Sequence, residues 1–378
     1  MKLVCSREAL LHAFLAASQA VKAQSTKPIL RNVKLEAREG EIALLGTDME
    51  IGIRASIPCD EVQTPGQVVL PAERMGQLLR ANMDSTLTIE SIQNRVEIHG
   101  ERSEFKFTTE DPGEFPTVPT FTPKYFLKTP ARYIREAIRR TTFAADNDSG
   151  RYAMGGIYLD YFDGKLHFVA TDGRRLATQA IPMTPSEGYP QENVAIATAV
   201  SMNILEKLLS PLDEDVMLGW EEGRFVMQAE HLFYYATLME GRYPDWKLGM
   251  AQVDHPTMEM DLVVQPFSQA LFQAGIMAEK VNPGVVLEFK TGKMIAHAAN
   301  AEFGESRIEL PIPYEGTSLE LKLNQTYVID FLRRLDPETT ISLKMVDAKT
   351  GVLFLNGEDY RYLVMPMQHD TPQPPTSE

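Results

Sequence analysis

Ile42-Ala43-Leu44-Leu45-Gly46-Thr47-Asp48, Leu166-His167-Phe168-Val169-Ala170-Thr171-Asp172 and Met294-Ile295-Ala296-His297-Ala298-Ala299-Asn300 read as three versions of one strand, and that reading decides the fold. Each is a short apolar run followed by a proline step, Ile57-Pro58, Ile181-Pro182 and Leu310-Pro311, 11 residues after Thr47, Thr171 and Asn300. Beyond each proline an extended apolar stretch runs into an amphipathic helix. Val68-Val69-Leu70-Pro71 leads to Met75, Leu78 and Leu79; Val194-Ala195-Ile196 to Met202, Leu205, Leu208 and Leu209; Leu321-Lys322-Leu323-Asn324 to Val328, Phe331, Leu332 and Leu335. Phe115-Pro116, Tyr243-Pro244 and Met365-Pro366 close the three copies. Equivalent markers lie between 122 and 129 residues apart, and one third of 378 is 126. The chain is three diverged copies of one unit.

Each copy opens on a helix. Ser6, a capping residue type, precedes the apolar face Leu10, Leu11, Phe14, Leu15 and Ala17. Pro130 starts the second, with Ile134, Ala137 and Ile138, and Pro266 the third, with Phe267, Leu271, Ala274 and Ala278. Period-two alternation in Val96-Glu97-Ile98-His99, Phe105-Lys106-Phe107-Thr108 and Phe225-Val226-Met227-Gln228 marks half-buried antiparallel strands. The expected fold is α+β, each copy carrying two helices packed on antiparallel sheet. The helices are expected over 6–24, 71–80, 130–143, 201–209, 266–280 and 325–336. Pro112, Pro116, Pro119 and Pro123 mark a stiff linker and Gly249 to Pro256 a second one, giving domains 1–124, 125–254 and 255–378. The tail, from about 368, lacks apolar residues and is expected to be disordered.

Net charge is −15, which excludes tight adhesion to nucleic acid through global charge. The six expected helices nonetheless carry 12 Lys/Arg against seven Asp/Glu: Arg7, Lys22, Arg74, Arg80, Arg132, Arg135, Arg139, Arg140, Lys207, Lys280, Arg333 and Arg334. Most charge runs are solvated helix faces, but four arginines within Arg132–Arg140 are dense for that. Weak attraction to phosphates with acidic repulsion elsewhere suits a protein that stays on DNA and slides. Cys5 and Cys59 are too few for a disulfide scaffold and fit a reducing cytoplasm. No stretch has the length of a membrane span and the start is no signal peptide.

With these markers in hand, the chain resembles the bacterial DNA polymerase III beta subunit, the sliding clamp, from Met1 to Met367. The residues that carry the resemblance are Lys27-Pro28-Ile29-Leu30-Arg31-Asn32, Leu45-Gly46-Thr47-Asp48-Met49-Glu50, Val69-Leu70-Pro71-Ala72, Ala170-Thr171-Asp172-Gly173-Arg174-Arg175-Leu176, Gly241-Arg242-Tyr243-Pro244-Asp245 and Leu363-Val364-Met365-Pro366-Met367. It implies a head-to-tail homodimer whose six domains close a ring around duplex DNA without reading its sequence. It also implies partners: the polymerase III catalytic subunit, the clamp loader and repair proteins, each bringing a clamp-binding peptide. The implied setting is the bacterial cytoplasm, at the nucleoid.

By motif position, the resemblance places a deep apolar pocket at Met154, Thr171, Leu176, Pro244, Leu363 and Met365. Around it stand Arg151, Gly173, Arg174, Arg175, Asn324, Tyr327, Val364, Pro366 and Met367. Met and Leu make an adaptable surface that suits several partners in turn. On the residues alone, Met154, Leu176 and Leu363 fit plain core packing equally. The implied dimer contact sets Phe105 and Phe107 against Ile276 and Met277. Tyr152 is an implied DNA contact, whereas Gln24 stands where relatives often carry a basic residue. The pocket residue after Pro244-Asp245 stays open, because the chain continues Trp246-Lys247-Leu248-Gly249.

An enzyme reading draws Thr171-Asp172-Gly173-Arg174-Arg175 as a phosphate-binding turn. No P-loop or GxGxxG follows a strand, the seven histidines are scattered, and no Ser or Cys sits in a nucleophile elbow. Thr-Asp-Gly is a turn device, repeated at Thr47-Asp48 with Asn300-Ala301 in the third copy. The expectation is no catalytic residue, no metal and no cofactor. An acidic scaffold that binds proteins but never DNA is the remaining alternative.

Overall fold

The structure, a computed structural model, describes residues 1–59, 61–146, 152–281 and 283–367. Two compact units emerge. The first comprises Met1–Arg135, Pro182–Gln191 and Val200–Met239, and the second Glu136–Ile181, Glu192–Ala199 and the chain from Glu240 on.

Seven α-helices form among the described residues: α1 (Arg7–Ser18), α2 (Ala72–Ala81), α3 (Ala131–Thr141), α4 (Ala199–Leu209), α5 (Trp246–Ala251), α6 (Val264–Gly275) and α7 (Gln325–Leu332). Ser6 caps α1, its hydroxyl accepting from the Ala9 amide at 3.4 Å. Three helices stop short of the expected spans. In α1 the Ser18 hydroxyl donates back to the Phe14 carbonyl at 2.6 Å and the chain turns, so Lys22 is past the end. α6 ends at Gly275, against which the Gln325 side chain packs so closely that a β-carbon would sit 1.6 Å from its Oε1, and Lys280 lies off the helix. Arg333 and Arg334 follow α7. Pro266 is the third residue of α6, not its first, and is tolerated where amides have no intrahelical partner.

The sheets do not respect the repeat boundaries. In the first unit, nine strands form one sheet because Ile51–Cys59 of the first repeat pairs antiparallel with Leu232–Thr237 of the second, from Leu232↔Ala55 to Ala236↔Ile51. In the second unit, eight strands form one sheet because Arg175–Pro182 of the second repeat pairs with Tyr360–Val364 of the third, from Arg175↔Val364 to Gln179↔Tyr360. Each unit also holds a half-sheet with an open edge. The five-stranded one in the first unit ends at Glu104–Thr108, and the four-stranded one in the second ends at Gly304–Pro311.

The repeated strand ends in a repeated turn. Asp48 Oδ1 accepts the Glu50 and Ile51 amides at 3.0 and 2.7 Å, and Asp172 Oδ1 those of Arg174 and Arg175 at 2.9 and 3.0 Å. Asn300 Oδ1 accepts from Glu302 and Phe303 at 2.9 and 3.3 Å. Asn300 thus takes the place of the aspartates, and the frame that aligned it with Thr47 and Thr171 is one residue out. Thr47 and Thr171 brace their turns by donating to the Ile51 and Arg175 carbonyls at 2.7 and 2.6 Å.

The two expected linkers are built into the fold. Pro112–Glu114 form a 3₁₀ turn, and Phe115 and Val118 are buried against Ala43, Leu45, Val69 and Val226. The second begins as α5, capped by Asp245 accepting from the Leu248 amide at 3.1 Å. Six residues are too few to show a period in the sequence.

Candidate functional site

At the end of the Arg175–Pro182 strand in the second unit, Leu176 and Leu363 are cross-strand partners. With Thr171, Pro244 and Met365 they line a cleft of about 150 Å³. Met365 extends the pairing, its amide donating to the Arg174 carbonyl at 2.8 Å. Gly173, Arg174 and Arg175 border the cleft, and α5 supplies a wall through Trp246 and Gly249, next to Asp245 and Gln252. A β-carbon on Gly249 would sit 3.3 Å from Leu176 Cδ2, so glycine lets α5 lie this close. Trp246 fills the position after Pro244-Asp245 that the sequence left open.

Among the described residues, the other expected pocket residues do not line the cleft. Met154 and Val364 are buried, and Pro366 and Met367 are half-buried. Asn324 caps α7, its Oδ1 accepting from Thr326 and Tyr327 at 3.0 and 3.4 Å. Arg151 and the tail 368–378 lie outside the described residues, as does the Tyr152 side chain. Arg175 is tied down: its guanidinium donates to Asp172 and Asp330 at 2.9 Å each and to the Phe143 carbonyl at 2.6 Å, and lies 4.4 Å over the Tyr327 ring. It holds the turn against α7, whereas Arg174 stands exposed at the rim.

The equivalent place in the first unit is filled. Gly52 stands where Leu176 does, and a β-carbon there would lie 2.0 Å from the Tyr235 ring. The Tyr235 hydroxyl is 3.1 Å from Thr47 Oγ1, and Phe115 and Val118 pack in the same cluster. One repeat junction is sealed by an aromatic ring and its linker. The other is left open by Leu363 and a linker that coils into α5.

Sequence profiles match the whole succession of repeats: DNA polymerase III beta subunit N-terminal domain over residues 1–119, central domain over 128–245 and C-terminal domain over 255–368. The chain belongs to the DNA polymerase III beta subunit family. A beta sliding clamp of Pseudomonas putida is 26% identical over 373 residues, 97% of this chain and 100% of that protein. A sliding clamp structure from Pseudomonas aeruginosa has a TM-score of 0.90 at 23% identity, covering 98% of this chain and 100% of that one. Another from that organism, bound to griselimycin, gives 0.91 at 24%, with the same coverage. Sliding clamps are processivity factors, not enzymes, and the chain takes that class from its family.

Against that family, the basic residues expected to face DNA divide. Lys22, Arg74, Arg80, Arg132, Arg139, Lys207, Lys280 and Arg333 are exposed. Arg7 donates to the Asp84 and Leu79 carbonyls, and Arg135 to that of Ser210. Arg334 lies over Phe143, and Arg140 is engaged by Glu136, Gln179 and the Tyr360 ring. These four need partners the sequence does not reveal. Lys22 also pairs with Asp48 at 2.6 Å.

Phe105 is exposed and Phe107 half-buried on the open Glu104–Thr108 edge, beside Met83 in a groove of about 600 Å³. In the second unit Ile276 is 65% exposed, with Phe272 and Phe303 at 57% and 64%. Phe272, Phe303 and Met83 are apolar side chains left in water that pattern reading does not single out. Glu97, His99 and Glu104 come within 4.8 Å of one another, but Lys106, 3.0 Å from Glu104 and 3.6 Å from Glu97, already supplies their positive charge. Burial, with Cys59 adding to it, pushes the Cys5 thiol up to about 12, which keeps it unreactive.

His167 stacks on Phe162 at 4.3 Å beside Trp246. Burial pushes it down to about 4 from 6.5, Asp160 opposing and Lys247 reinforcing the shift. The native state thus refuses a proton that the unfolded chain accepts, and stability falls as pH drops from about 6.5 to 4. The expected loss is up to about 3 kcal/mol. In denaturant titrations at pH 7, 5 and 4, His167→Gln should lose correspondingly less; equal losses would contradict the assignment.

Proposed function

We propose that this chain is the sliding clamp of a bacterial replicase: a head-to-tail homodimer that encircles duplex DNA and tethers polymerase, loader and repair proteins through the Leu176 cleft. The domains are taken as 1–124, 125–254 and 255–378, two copies supplying six. The observation that carries this reading is the count of repeat junctions. Within one chain, two junctions are made by strand pairing, 232–237 on 51–59 and 360–364 on 175–182. The edges left over, 104–108 and 304–311, are the equivalents of those same pairs. Such heterologous edges close into a ring when two copies meet.

Carrying the observed registers over sets Phe107 opposite Gly304 of a second copy, Lys106 opposite its Glu305, Phe105 opposite its Ser306 and Glu104 opposite its Arg307. Two of the four pairs join opposite charges, which supports the register. The apolar contact then gathers Phe105, Phe107, Ile276 and Met277 with the exposed Phe272 and Phe303. DNA held inside a closed ring needs no grip, so the −15 net charge is no obstacle. Arg74, Arg80, Arg132, Arg139 and Lys207, on α2, α3 and α4, supply a weak phosphate attraction, and the exposed Lys22, Lys280 and Arg333, past the ends of α1, α6 and α7, add to it.

In the cleft, Leu176, Leu363 and Met365 take apolar anchors while Arg174 meets an acidic end. Thr171 and Pro244 complete its lining, Met154 and Val364 are assigned to its backing, and Asn324, Tyr327, Pro366 and Met367 to the route of the peptide. Primer extension tests the function. With a cognate loader and polymerase the protein should convert short products into kilobase ones, and products of unchanged length would refute it.

A further inference from the structure

The cleft is the first of three depressions that follow one another along the eight-stranded sheet of the second unit. Trp246 is shared between the cleft and a concavity of about 320 Å³, whose other aromatic walls are Phe162 and His167. Glu358 and Arg361 are in turn shared with a third depression of about 240 Å³, bordered by Val253, Leu353 and Leu355. The dividing wall is rigid: Trp246 Nε1 donates to Asp160 Oδ2 at 3.0 Å, and Lys247 pairs with the same carboxylate at 3.2 Å.

We propose that the middle concavity is a second anchor site for the partner peptide, taking an aromatic side chain that flanks the cleft-bound segment and has basic neighbours. This rests on the cleft reading. The volume suits a phenyl or indole ring, and the small Thr178 and Ala180 lie between the aromatic walls and the rim. Charge decides the neighbours. Lys165 is taken by Asp359 at 2.6 Å and Lys344 by Glu259 at 2.8 Å, which leaves Asp163, Asp254 and Glu358 against Arg361 along the path. His167, held neutral at physiological pH, adds no opposing charge. Continuity through Trp246 makes the occupant the same chain that fills the cleft, because a segment leaving the cleft past the indole enters this concavity next.

Five fluorescent peptides test this on the full-length protein by anisotropy: one with cleft anchors only, and four lengthened by six residues, two at each end. The added residues are Trp with two Lys, or Gly/Ser as a control. The Trp/Lys extension at one end should tighten binding about tenfold, the worth of one well-seated aromatic, and Gly/Ser should add nothing. Glu358→Lys, at an exposed rim position, should remove most of that gain and leave the short peptide unaffected. A short peptide that binds while no extension outperforms Gly/Ser would overturn the second anchor and spare the cleft. A gain indifferent to Glu358→Lys would overturn the basic neighbours. A short peptide that fails to bind wild type would overturn the cleft reading, and the extension with it.

Discussion

Replacing Leu176 and Met365 with aspartate abolishes binding of a polymerase-derived clamp peptide and leaves the dimer intact. Leu176 faces Leu363 across the strand pair, and Met365 continues the strand past it, so the two side chains are the apolar ends of one cleft. Seating a leucine-sized anchor is worth ~2 kcal/mol, and a carboxylate at its seat adds a desolvation cost. The expected loss is at least about 100-fold in Kd. Because Leu176 is also buried, Met365→Asp alone, at a half-buried position beyond the ladder, keeps the test valid if the double variant unfolds. Peptide binding that survives in a folded variant of native mass would remove the cleft from the account.

Ile276→Ala with Met277→Ala turns the dimer into monomers. Ile276 is mostly in water in the single chain, as are Phe272 and Phe303, and exposed apolar side chains of this size mark an interface. On the proposed register the matching surface would be the groove of Phe105, Phe107 and Met83. Light scattering after size exclusion should give half the wild-type mass, and an unchanged mass would contradict the pairing. The register gives a finer check. Lys106→Glu should weaken the dimer, and adding Glu305→Lys should restore it, since these residues face each other only if the interface copies the two junctions within the chain.

The repeats and the Thr-Asp turns are legible in the sequence because they are local: an acceptor two and three residues before the amides it binds leaves a fixed spacing. Even so, Asn300 can be aligned with threonine until its hydrogen bonds show it doing an aspartate's work. The sheets that cross repeat boundaries escape sequence reading, because which edges pair is set by contacts more than 170 residues apart, such as Leu232 with Ala55. So does the occupancy of Arg140 and Arg175, which count as free cations until Tyr360 or Asp330 is placed beside them. The cleft is half legible. Thr171, Leu176, Pro244, Leu363 and Met365 come from the resemblance and meet in one place, whereas Trp246 and Gly249 depend on a helix too short to announce itself. Likewise, Tyr235 becomes intelligible as a plug only beside Gly52.

Retention on DNA decides whether a closed ring surrounds the duplex. The protein is loaded by a cognate ATP-driven loader onto nicked circular plasmid, isolated with it, and the plasmid is then cut once. Stable association with the circle that is lost on cutting is the predicted result, since a closed ring slides off an end. Retention on the linear form would mean ordinary phosphate binding, and no association with either form, given a loader proven on another clamp, would leave only a protein-binding scaffold.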